Sequence, residues 1–113
     1  MEKVMDISVS HRGETIVVMV DGRLDSTTSA QLELWVEENL SPPDADVVMD
    51  FSRLDYISSA GLRVMLNLSK LIAGHSRKFF VAGAQDHVRE VFEISGFDSF
   101  IPLCDSVEEA VSG

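Results

Sequence analysis

Cysteine is nearly absent from this 113-residue chain, which has one, Cys104, beside three prolines, one tryptophan and one tyrosine. One thiol excludes an intramolecular disulfide and is too few for a zinc-knuckle or iron–sulfur framework, so the chain fits a reducing compartment. Positive charge is scarce as well. Lys and Arg number 9 against 19 Asp and Glu, a formal net charge of -10. Nucleic-acid binding and attraction to anionic lipid both need a positive field, so neither is expected. No apolar run approaches the roughly 18 residues of a membrane span, and Met1-Glu2-Lys3-Val4 lacks the basic and apolar regions of a signal peptide. A soluble cytoplasmic protein is the expectation. Also missing are a phosphate loop, a dinucleotide glycine fingerprint, a His-Glu-x-x-His pair and a Gly-x-Ser-x-Gly elbow. His11, His75 and His87 have no metal-ligand spacing, and Cys104 has no basic neighbour to activate it. No enzyme activity, cofactor or metal is therefore expected.

What is present is a globular share of apolar residues, 45%, gathered into short runs. The size allows one domain over residues 1–113. Residues 4–10 and 15–20 read as two strands around the polar turn His11-Arg12-Gly13-Glu14, with Gly22 ending the second. Leu32, Trp35, Val36 and Leu40 have helical spacing behind a polar cluster, Thr28 and Gln31 fit a capping box, and Pro42-Pro43 stops the helix. Val47-Val48-Met49 has the continuous apolar pattern of a strand buried on both faces. Residues 51–59 read as a loop, 62–72 as a largely buried helix closed by Gly74, and 78–82 as a strand. Asp86 is placed to cap a third helix with Val88, Val91 and Phe92 inward and Gly96 at its exit. A short edge strand over 100–103, broken by Pro102, and a terminal helix capped by Ser106 and Glu109 complete the chain. The alternation predicts an α/β fold: a mixed sheet of four to five strands packed against about four helices.

The informative stretch is residues 50–62. Small residues Ser58, Ser59, Ala60 and Gly61 open a helix whose first amides have no intrahelical partner and can receive a hydroxyl, an anion or a phosphate. One reading is structural: Ser58 caps the helix while Ala60 and Gly61 permit close packing. The other is regulatory, because a phosphate on a serine here adds about two negative charges at a helix start. The two are compatible, and spacing alone does not choose between Ser58 and Ser59.

Asp50-Phe51-Ser52, followed by Tyr56-Ile57-Ser58-Ser59-Ala60-Gly61-Leu62, resembles the signature of STAS domains, in particular the bacterial anti-sigma factor antagonists. In that pattern Asp-Leu-Ser precedes an aromatic, Met or Ile, then Asp-Ser-Ser/Thr/Ala-Gly-Leu. Gly22-Arg23-Leu24-Asp25 is similar to the family's Gly-Glu/Asp-Leu-Asp element, and residues 91–97 to its helix followed by Gly and an aromatic. The resemblance implies a STAS-like fold and a phosphoacceptor at Ser59, with Ser58, which stands where the family usually has an acid, as its rival. It also implies a partner-binding surface including Asp25, Ser58, Ala60, Gly61 and Arg63. The implied partners are an anti-sigma factor serine kinase of the GHKL type and a PP2C-like phosphatase, acting by phosphorylation-controlled partner switching. A STAS scaffold or regulatory subunit outside sigma-factor control, in a lipid or anion transport complex or a signalling module, is the alternative.

Overall fold

Two strands open the structure, a computed structural model that describes residues 5–112. Strands β1 (Met5–Arg12) and β2 (Thr15–Leu24) form an antiparallel hairpin from Met5↔Gly22 to Arg12↔Thr15. Val4, expected to begin the first strand, lies outside the described residues. Helix α1 (Ser26–Asn39) leads to β3 (Val47–Asp50) and β4 (Leu54–Ile57). Helix α2 (Ser59–Gly74), β5 (Phe79–Ala82) and α3 (Asp86–Ser95) follow. A 3-10 turn (Phe97–Ser99), β6 (Leu103–Cys104) and α4 (Val107–Ser112) end the fold.

The sheet has six strands in the order β1-β2-β3-β5-β6, with β4 paired to β2, where four to five were expected. The additional strand lies inside the segment read as a loop. It forms because β2 outlasts Gly22 and serves two parallel partners in succession. Ile16 to Met19 pair with β3, and Gly22, Arg23 and Leu24 pair with Leu54, Tyr56 and Ile57 of β4. Gly22 does not end the strand. It adopts φ 125, a left-handed value that a side chain disfavours, and the β4 register shifts just after it.

Most of the core lies between one sheet face and α1, α2 and α3. Val18, Val20, Leu32, Met49, Met65, Leu68, Ile72 and Phe92 are buried there, with the Phe51 and Phe92 rings tilted at 6.3 Å. On the other face α4 covers a smaller cluster of Val17, Val48, Ala82 and Ala110. Val47, Val48 and Met49 are completely buried, which explains their unbroken apolar run. Three expected details shift. Gln85, not Asp86, is the N-cap of α3, and Asp86 is the first helical residue; Gln85 makes no side-chain cap bond, its amide donating instead to the Leu54 carbonyl at 2.9 Å. The last strand is Leu103–Cys104, since Ile101 still donates to the Phe97 carbonyl and Pro102 has no N–H to give. His75, not Gly74, is the C-cap of α2.

Candidate functional site

Helices α1 and α2 both start at the carboxyl end of the parallel strands, where open sheets of this kind place their sites. The two starts are stitched together through the end of β2. Ser58 donates its amide to the Leu24 carbonyl at 2.8 Å, and the Thr28 hydroxyl donates to the Arg23 carbonyl at 2.7 Å.

The cap of α1 differs from the Thr28–Gln31 pair expected. Asp25 is the N-cap, and its Oδ1 accepts from the Thr27 and Thr28 amides, both at 3.0 Å. Thr28 closes the box from the other side, accepting from the Asp25 amide at 2.9 Å. A Thr at the third helical position thus does what Glu or Gln usually does. The Thr28 amide, above all, holds the Asp25 carboxyl below its ordinary pKa.

At α2 the two serines part company. Ser58 is extended and half-buried, and its Oγ accepts from the Gly61 amide at 3.2 Å as the N-cap. Ser59 is the first helical residue and is exposed. Gly61 is buried beneath the surface, where a Cβ would meet Ile57 Cγ1 at 2.7 Å and Leu24 Cβ at 3.0 Å. It lets the start of α2 approach β2 and β4. Ala60 is half-buried and Arg63 exposed.

Ser59, Ala60, Arg63 and Val64 of α2 face Ser26, Ser29, Ala30 and Glu33 of α1 across a groove of ≈ 320 Å³. A second hollow of ≈ 260 Å³, sharing Glu33 and Val64, continues it along both helices toward Ser41 and Leu71. The structure therefore brings Ser59, Ala60 and Arg63 into one concave surface, with Asp25 and Ser58 committed to the helix caps beside it. The α1 wall was missed in the sequence. Ser26, Ser29 and Glu33 share a helical face, but that spacing marks a face only once its partner helix is known. The Arg23 guanidinium, which does not line this groove, lies 4.5 Å from the centre of the Tyr56 ring. Among the described residues no group of three His, Cys, Asp or Glu side chains is placed to hold a metal ion. Nor is any helix among them long and apolar enough to cross a membrane.

This architecture, with its small-residue helix start, defines a STAS domain, and the chain belongs to that family, whose model matches residues 6–110. It is 39% identical over 97 residues to BtrV of Bordetella bronchiseptica, which that protein's name assigns to the anti-sigma factor antagonists; the match covers 86% of this chain and 84% of BtrV. The anti-sigma-F factor antagonist RsfB of Mycobacterium tuberculosis is 26% identical over 107 residues, covering 95% of this chain and 87% of RsfB. Among solved structures, an anti-sigma factor antagonist from Mycobacterium paratuberculosis superposes with a TM-score of 0.84 at 26% identity, covering 96% of this chain and 92% of that one.

Proposed function

We propose that this protein is an anti-sigma factor antagonist that works by partner switching, with Ser59 as its phosphoacceptor. Unphosphorylated, it docks on an anti-sigma factor that is itself a serine kinase of the GHKL type, and the sigma factor is released. The kinase then phosphorylates Ser59: the serine Oγ attacks the γ-phosphorus of ATP, the bond to the bridging oxygen breaks, ADP leaves, and the hydroxyl proton passes to a base of the kinase. A PP2C-like phosphatase hydrolyses the phosphoserine and resets the cycle. The names of BtrV and RsfB support the antagonist role.

The observation that carries this reading is the division of labour between adjacent serines. Ser58 Oγ is occupied at the cap, whereas Ser59 is exposed on the wall of a groove between two helices. A hydroxyl there can be buried against a partner at little cost. A phosphate there would have to be stripped of water first. The fold itself tolerates the charge, because the start of a helix favours anions. Binding is thus lost while the domain stays folded, and a loss of a few kcal/mol is a change of orders of magnitude in affinity.

Labelled ATP and a GHKL-type serine kinase from the same organism test the reading. Label on the wild-type chain, absent from Ser59→Ala and retained by Ser58→Ala, is the expected result. Label that stays on Ser59→Ala, or a folded wild-type chain that takes none, overturns it.

A further inference from the structure

We propose that the phosphoryl group, once on Ser59, lies back into the α1–α2 groove and is held there by the Arg63 guanidinium and the Ser29 hydroxyl. The inference rests on the reading of Ser59 as phosphoacceptor and adds the site that receives the phosphate.

Three observations meet at this place. Ser59 and Arg63 are four residues apart on α2, hence neighbours on one helical face, and both line the groove. Arg63 has no ion-pair partner among the described residues, in contrast to Arg12 with Glu108 and Arg89 with Asp105. Opposite, Ser29 borders the same groove at 2% exposure, and its Oγ is buried with no hydrogen-bond partner. Buried polar groups are nearly always satisfied, so an orphan hydroxyl on a residue that lines a groove points to a group that arrives later. A phosphate fits both halves of the site. Its oxygens accept from a hydroxyl, and two of them match the planar fork of a guanidinium.

Asp25 occupies the Thr27 and Thr28 amides, and Ser26, the first residue of α1, stands at the rim beside Ser59. Two carboxylates lie near the seat: Glu33, which lines the groove and accepts from Asn67 Nδ2 at 3.4 Å, and Asp25, held in the α1 cap beside it. Both oppose a dianion, which makes Arg63 the group that decides whether the phosphate turns inward. Phosphorylation then does two things to a docking partner. It adds charge, and it fills the concavity a partner side chain would enter.

The test needs neither kinase nor partner. Phosphoserine is incorporated at position 59 during synthesis, and its phosphorus resonance is titrated with pH in the wild-type background, in Arg63→Gln, in Arg63→Lys and in Ser29→Ala. The second phosphate pKa should be lowest in the wild-type background and higher in Arg63→Gln by about half a unit or more, since a neighbouring cation favours the dianion. Arg63→Lys should recover part of the difference, and Ser29→Ala should raise the value by a smaller amount. Equal values in wild type, Arg63→Gln and the urea-unfolded chain would overturn the proposal, with Ser59 still free to be the kinase's target. Failure of the labelling experiment would remove the switch itself and leave this result untouched.

Discussion

Ser58→Ala and Ser59→Ala remove hydroxyls from adjacent residues and should have opposite consequences. Ser58 Oγ accepts the Gly61 amide at 3.2 Å, the long end of the normal range, and no other side chain is shown capping α2. Losing an N-cap of this type costs about 1 kcal/mol. For 113 residues the unfolding entropy is about 240 cal/mol/K, so Ser58→Ala should lower Tm by about 4 °C. Ser59 is exposed at the first helical position, where alanine has the better helix propensity, so Ser59→Ala should change stability by less than about 0.5 kcal/mol, if anything upward. Calorimetric unfolding at neutral pH measures both, and kinase labelling of the same samples measures acceptor function. The less stable variant should be the one that keeps its label. If Ser58→Ala melts with the wild type, or if Ser59→Ala is the one that loses several degrees, the cap has been assigned to the wrong serine and the acceptor with it.

Four further outcomes follow from the same geometry. Gly61→Ala puts a Cβ at 2.7 Å from Ile57 Cγ1 and 3.0 Å from Leu24 Cβ, an overpacking of roughly 1–3 kcal/mol against about 1 kcal/mol of helix propensity regained. A net loss of about 1 kcal/mol should appear in urea titration, and an unchanged midpoint would show slack beneath α2. Asp25 has a native pKa depressed from 3.8, first by the Thr28 amide, so its carboxylate stabilises the fold above that value and the contribution fades as pH falls through the lower native one. The Tm gap between wild type and Asp25→Asn should therefore be constant from about pH 5 to 7 and shrink below about pH 4; a gap that widens in acid refutes the assignment. Ser59→Asp should fold normally yet bind the kinase weakly in calorimetry while Ser59→Ala binds well, and equal affinities would argue against a charge-operated switch. A net charge of -10 steering the chain toward a basic partner surface predicts an association rate that falls with added salt, measured by stopped flow; a flat dependence would assign the acidity to solubility alone.

Where a segment's own pattern decided its state, the sequence was readable. Val47 to Met49 and the apolar face of α2 are buried as their periodicities require. Ser58 is the cap that its type and place imply. Two of the misses share a cause, which is that a distant partner decides the local state. Leu54-Asp55-Tyr56-Ile57 carries no alternation, with its ends buried and its two middle residues exposed, and is a strand only because β2 extends far enough to pair with it. The α1 capping box was read as Thr28 with Gln31, whereas Asp25 is the cap and Thr28 returns the bond, a pairing hidden because the third helical position carries neither an acid nor an amide. The α1 wall of the groove was invisible for a similar reason. Nothing in residues 26–33 marks them as facing Ser59 until the stitch between Ser58 and Leu24 sets the helices side by side.

A serine at position 58, where the STAS signature that this stretch resembles usually has an acid, leaves the cap beside Ser59 uncharged. An N-cap residue is extended, and its side chain folds over the helix end to receive an amide; the next residue is already helical and turns its side chain outward. Two consecutive hydroxyls are thereby sorted by backbone geometry alone, one inward as acceptor for Gly61 and one outward into the groove. A carboxylate cap would serve the helix as well, but it would hold a permanent negative charge beside the acceptor. With serine the cap is neutral, Arg63 has no ion-pair partner among the described residues, and a phosphate on Ser59 would be the first negative charge in the first turn of α2. Exchanging the cap for Ser58→Asp should keep the fold, since aspartate caps as well as serine. It should also raise the second pKa of a phosphoserine at position 59, because the dianion would then sit beside a fixed charge. An unchanged pKa in that variant would mean that the phosphate lies beyond the reach of the cap, and the charge at position 58 would have no part in the electrostatics of the acceptor.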